Sequence, residues 1–228
     1  MSSFKINFNS RPKVVWLGNR EVPLLVIDDI FADPQNVKAQ ALNQSFPESQ
    51  AYYPGRHQPL PNSIPGISEF CLFIARVLSQ ATGRDISPSS INTDFSVITT
   101  AENSLLENQG QPHIDSTPML GVIYLNTLDF GGTVFFRNRE TGSMKVTTPS
   151  EKEHYEAVTN NRAEKRPDKY IVDSSGPWEK VTTIDGRFNR LVIWPGNVWH
   201  SVEIKIAPEQ GELHEKRLTQ RVIVNELK

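Results

Sequence analysis

The residues of this chain best suited to chemistry are a histidine and an aspartate two positions apart, His113-Ile114-Asp115. On an extended chain, positions i and i+2 project from one face, so an imidazole nitrogen and a carboxylate oxygen can grip one metal ion. Alone the pair is a weak signal, because His-x-Asp strings arise by chance and Asp115-Ser116-Thr117-Pro118 is also good turn chemistry. Support comes from downstream, where the run Leu191-Val192-Ile193-Trp194-Pro195-Gly196 turns and then presents His200 at the start of another extended segment. Two imidazoles and one carboxylate, with other positions left open, form the facial triad found at non-haem Fe(II) sites. His57, His154 and His214 lack any such partner pattern and read as structural or surface histidines.

A third element follows the triad. Arg217, Thr219 and Arg221 alternate with Leu218, Gln220 and Val222, so both arginines face one side of a strand. An arginine buried in a sheet structure is costly unless an anion meets it, and a dicarboxylate co-substrate supplies that anion through a bidentate pair. Tyr124 can donate a second hydrogen bond to the same carboxylate. The arginine that does not serve the co-substrate is expected to pair with Glu212 or Glu215.

These residues need a scaffold, and the pattern supplies one. Residues 13–17 and 23–27 read as strands around a Gly-Asn turn, and Asp33-Pro34 starts a helix that ends before Pro47. Residues 47–66, rich in proline around Tyr52, Tyr53, Arg56 and His57, read as an ordered irregular loop. An apolar stripe from Ile67 to Leu78 predicts a helix over 67–82 stopped by Gly83. From Ser90 the period changes to two, with strands expected at 91–99, 118–126, 132–137, 190–195 and 218–226 and shorter ones at 112–115, 180–184 and 199–204. The expected class is therefore α+β, one domain over 1–228, with strands and helices in 1–89 and a β-sandwich or barrel in 90–228. Residues 138–187 look like an insertion, with a solvated helix near 150–164.

Composition narrows the function. A net charge of −2, from 24 basic and 26 acidic side chains, provides no broad electrostatic footprint for nucleic acid or an anionic membrane. The longest apolar stretch, Met119 to Leu125, is far shorter than the ~18 residues of a membrane span, and the N-terminus has no signal-like apolar core. With Cys71 alone, an intramolecular disulfide is impossible, and the expected setting is the cytoplasm. Nothing in the sequence speaks to oligomeric state.

Taken in order, His113-Ile114-Asp115, Gly121-Val122-Ile123-Tyr124-Leu125-Asn126, Phe130-Gly131-Gly132-Thr133-Val134, Trp194-Pro195-Gly196 through His200-Ser201-Val202, and Arg217-Leu218-Thr219 resemble the Fe(II)- and 2-oxoglutarate-dependent dioxygenases, in their prolyl-4-hydroxylase-like branch. The resemblance implies a double-stranded β-helix (jelly-roll) core with the N-terminal helices packed outside. It implies His113, Asp115 and His200 as iron ligands, and Arg217 with Tyr124 as contacts to 2-oxoglutarate. The family's basic residue usually follows the distal histidine by fewer positions than Arg217 or Arg221 does here, so Arg221 stays the reserve. Cofactors would be Fe(II), 2-oxoglutarate and O2, and the outcome hydroxylation of a small-molecule, amino-acid or peptide substrate. The competing readings are a cupin-like module that binds a metal or small anion without turnover, and a metal-dependent hydrolase or isomerase on a cupin scaffold. The 52–57 loop and the 138–187 insertion are expected to line the mouth of the pocket and set substrate choice.

Overall fold

The computed structural model describes residues 4–48, 53–106, 109–162, 168–206 and 211–227. Tyr52 and the last two positions of the helix expected near 150–164 lie outside the described residues. Strands β1 (Lys13–Leu17) and β2 (Val22–Ile27) pair antiparallel through a turn in which Gly18, Asn19 and Arg20 all have positive φ. Helix α1 (Pro34–Leu42) begins as its sequence dictates: the Asp33 side chain accepts the Asn36 amide at 3.2 Å, and Pro34 occupies the first turn. Helix α2 (Ile67–Thr82) ends where Gly83 turns left-handed at φ 70°. Between the helices the sequence reading is corrected, because residues Gly55–Pro59 form a strand, β3, rather than irregular loop. Proline is tolerated there because β3 lies at the sheet edge, where among the described residues it pairs with β4 (Ile91–Ile98) alone.

The remaining strands are β5 (Met119–Tyr124), β6 (Thr133–Asn138), β7 (Trp178–Ile184), β8 (Leu191–Pro195), β9 (His200–Val202) and β10 (Leu218–Val224), with helix α3 (Pro149–Arg162) between β6 and β7. They assemble into a seven-stranded sheet, β1-β2-β8-β5-β10-β4-β3, and a three-stranded sheet, β7-β6-β9, with every pairing antiparallel. Two expectations change as a result. Residues 112–115 are not a strand but a segment bridged to its neighbour at His113 alone. The 138–187 interruption is not all insertion, since β7 lies within it and pairs along the whole of β6.

Period-two alternation divides the large sheet into two faces. Phe95, Val97, Ile123, Ile193, Leu218 and Val222 point to one face and pack with Ile67, Phe70, Ile74 and Leu78 of α2 and Val37 and Ala41 of α1. Burying each large apolar side chain of α2 stabilises the fold by roughly 1.5–3 kcal/mol. Val122, Tyr124, Val192 and Trp194 point the other way and pack with Phe135 of the small sheet. That inner face turns polar toward β4 and β10, where Ser96, Thr219 and Arg221 line a cavity. Among the described residues no helix is long and apolar enough to cross a membrane.

Candidate functional site

His113, Asp115 and His200 come together at one end of the two sheets, with one ligand atom from each within 4.8 Å of the others. Backbone bonds fix this arrangement. His113 and His200 exchange both amide hydrogen bonds, at 2.9 and 3.0 Å, and the Asp115 amide donates to the Gly196 carbonyl at 2.7 Å. Gly196 is required at that crossing, because a Cβ there would lie 1.8 Å from the Thr117 carbonyl oxygen. The Pro-Gly turn in the sequence thus serves to let the Asp115 segment pass.

Each imidazole is oriented by its own neighbour. His113 Nδ1 lies 2.9 Å from the Gln111 carbonyl, and His200 Nδ1 lies 2.9 Å from the Val198 carbonyl. A carbonyl only accepts, so both Nδ1 atoms carry the proton and both Nε2 lone pairs are left for a metal. Burial lowers the His200 pKa to about 4, against the pull of Asp115 and with the help of nearby His113, so its ring is neutral at physiological pH. His200 Nε2 lies 3.4 Å from Asp115 Oδ2, and that oxygen is buried with no hydrogen-bond partner. A carboxylate oxygen buried in this way is unfavourable unless a cation meets it, so the donor set fits a divalent metal.

The triad opens on a cavity of about 500 Å³ that Arg217 and Arg221 both line. Their surroundings differ. Arg217 is 5% exposed, and its guanidinium donates to the Gly131 and Gly132 carbonyls at 3.4 and 2.9 Å. Gly131 presents its carbonyl there with φ 102°, a conformation suited to glycine. No carboxylate among the described residues pairs with Arg217. Arg221 is held instead by Asp94, through Nε to Oδ1 at 2.8 Å and Nη2 to Oδ2. Its acid partner is therefore a residue of β4, not Glu212 or Glu215.

Tyr124 stands behind this wall rather than in it. Its hydroxyl bonds Thr133 Oγ1 at 2.8 Å, its ring lies 5.4 Å from the Arg217 guanidinium, and it does not line the cavity. The tyrosine that does line it beside the arginines is Tyr53, and Tyr155 of α3 joins the wall with its ring 5.5 Å from that of Trp199. Trp194 packs beside the site, with its ring centroid 4.9 Å from that of His200. Sequence reasoning misses Asp94. Asp94 is the one acid of the strand Ile91–Ile98, two positions from Ser96 and so on the same face, and that is the signal that marks it.

Residues 8–224 match the model of a family described as a family of unknown function, DUF6445. The chain belongs to this family. No curated protein matches this DUF6445 chain by sequence. In fold it is similar to HygX from Streptomyces hygroscopicus, solved with nickel and 2-oxoglutarate bound, at a TM-score of 0.54 and 14% identity, covering 89% of this chain and 82% of that one. It is similar as well to the non-haem α-ketoglutarate-dependent carbocyclase SnoK of nogalamycin biosynthesis, at a TM-score of 0.51 and 14% identity over 90% of this chain and 80% of SnoK. The related epimerase SnoN gives a TM-score of 0.51 at 11% identity, covering 90% of this chain and 78% of that one. At such identities the likeness is one of fold, and the DUF6445 chain shares its fold with Fe/2-oxoglutarate-dependent oxygenases.

Proposed function

We propose that the protein is a non-haem Fe(II)- and 2-oxoglutarate-dependent oxygenase that hydroxylates a small-molecule, amino-acid or peptide substrate, on a double-stranded β-helix whose walls are the two sheets. One observation carries this reading. A single cavity holds an open His-Asp-His triad with an orphaned carboxylate oxygen together with a buried arginine that has no acid partner among the described residues.

In this reading His113, Asp115 and His200 hold iron from one side and leave the cavity side free. Bound there, iron supplies activation of O2 coupled to conversion of 2-oxoglutarate to succinate and CO2, with oxygen delivered to a C–H bond of the substrate. The protein's own work is positional. Arg217, fixed by two backbone carbonyls and stacked on Tyr124, presents its remaining N–H groups to the distal carboxylate of 2-oxoglutarate. Thr133, already tied to Tyr124, lines the cavity nearby. Leu120, Val122 and Trp194 give the cavity an apolar side that excludes water from the reacting centre. A cytoplasmic setting, in keeping with the single buried thiol Cys71, completes the reading.

The test is succinate formation from 2-oxoglutarate by purified protein under air. Succinate that requires added Fe(II) and vanishes in His200→Ala supports the proposal. Stoichiometric metal binding without any 2-oxoglutarate binding would favour the non-catalytic binding module.

A further inference from the structure

Arg217 leaves a second cation in the cavity wall without a task. Arg221 lies on the same face of β10, and a guanidinium has five N–H donors in two forked edges. Asp94 occupies the side edge, Nε and Nη2. The end edge, one hydrogen of Nη1 and the other of Nη2, meets no protein acceptor among the described residues. Burial works against the charge on Arg221, yet Asp94, with Tyr53 and the metal ligand Asp115 adding to it, holds its pKa above the ordinary value. The free edge is thus a fixed, charged fork within electrostatic reach of the metal centre. Tyr53 stands beside it, with its ring 5.9 Å from the Arg221 guanidinium and braced by the His57 ring at 4.3 Å. The Tyr53 hydroxyl is buried and faces Ser96, whose own oxygen bonds Thr219 Oγ1 at 2.7 Å, so this hydroxyl sits on the polar side of the cavity beside Arg221.

We propose that the free edge of Arg221, with the Tyr53 hydroxyl, holds a carboxylate of the substrate, which is therefore a small carboxylic acid such as a free amino acid. The inference rests on the oxygenase reading above and names the substrate class for that site. The end edge of a guanidinium matches the two oxygens of a carboxylate, which a compact ammonium would not do. Arg221 already carries Asp94 on its side edge, whereas Arg217 donates only to backbone carbonyls among the described residues, which separates this position from the one at Arg217. A cavity of about 500 Å³ that must also hold the co-substrate suits a molecule of amino-acid size rather than a protein segment.

The experiment is calorimetric binding to protein loaded with Ni(II) and 2-oxoglutarate, so that no turnover occurs. The probes are the free L-amino acids and short monocarboxylic acids, each beside its carboxamide. At least one acid should bind about tenfold or more tightly than its amide. Arg221→Gln should abolish that difference and Tyr53→Phe should weaken it, while 2-oxoglutarate affinity changes little in either variant. Because Arg221→Gln strands a buried Asp94, the double variant Asp94→Asn/Arg221→Gln is measured beside it and should behave alike. Absence of any acid that binds, equal binding of acids and amides, or acid binding that survives in the folded double variant overturns the proposal. Failure of the wild type to bind 2-oxoglutarate before any probe is added overturns the oxygenase reading itself, and this inference with it.

Discussion

His113 and His200 are direct antiparallel partners, each donating its backbone amide to the other's carbonyl at 2.9 and 3.0 Å, with ring centroids 4.5 Å apart. The two candidate metal-binding imidazoles are therefore set by a single point of strand register, although 86 positions separate them along the chain (113 to 200, exclusive). A slip by one residue would turn one ring away from the other. Asp115 joins them from an adjoining crossing rather than from the same regular ladder.

Replacing either histidine with alanine, or Asp115 with alanine, should abolish stoichiometric Fe(II) binding while the fold survives. Iron titration followed by circular dichroism of each variant checks this. Wild-type iron affinity in the variants would remove the triad assignment.

Arg217→Gln should raise the apparent constant for 2-oxoglutarate by on the order of 100-fold, through loss of a charge-assisted bidentate contact. Arg221, already paired with Asp94, should affect that constant far less. The opposite ranking in a side-by-side titration would exchange the roles of the two arginines.

Much of this arrangement can be read from sequence because local rules decide it. Asp33-Pro34 and Gly83 bound their helices by capping chemistry, and the period of two through Arg217, Thr219 and Arg221 puts those side chains on one face of the strand they form. Other features depend on contacts distant in sequence. The acid that engages Arg221 comes from β4, which joins β10 across the sheet, and β3 is a strand only because β4 offers it an edge. Tyr124 matches its expected motif, yet the Thr133 hydroxyl, contributed by the facing sheet, holds it behind the wall. Local pattern can single out a residue such as Asp94 on its strand, but it does not say which distant residue it will meet.

Gly196→Ala tests the crossing that holds Asp115. The added methyl must displace the Thr117 carbonyl, so metal affinity should fall by about tenfold or more with all three ligands unchanged. Competition with a chromophoric chelator measures it, and unchanged affinity would show that the loop yields without moving Asp115.

Tyr155, on α3, faces the cavity from the segment between β6 and β7. Tyr155→Ala, or deletion within 150–162, should leave iron binding and substrate-free succinate formation nearly intact and remove the stimulation by substrate. Full stimulation in these variants would make α3 a surface feature only.

His57 is expected to impose a pH dependence on stability. Burial, and secondarily the charge of Arg221, lowers its pKa to about 3 from the ordinary 6.5. Below pH 6.5 the unfolded chain takes up a proton that the folded chain refuses until about pH 3, so folding stability falls as pH falls through that window. The loss is at most about 1.4 kcal/mol per pH unit. His57→Phe, which keeps a ring against Tyr53, should show a shallower decline between about pH 7 and pH 5 in denaturant titrations. Parallel declines in the two proteins would mean that His57 titrates normally.

The central claim is that one cavity holds iron and 2-oxoglutarate together, and it is tested most directly by the visible spectrum of the Fe(II)-loaded protein as 2-oxoglutarate is added without oxygen. The account predicts a weak charge-transfer band that saturates at one co-substrate per chain in the wild type. In Arg217→Gln the band should require on the order of 100-fold more 2-oxoglutarate. Iron bound stoichiometrically by His113, Asp115 and His200 with no band at any concentration of 2-oxoglutarate would contradict it.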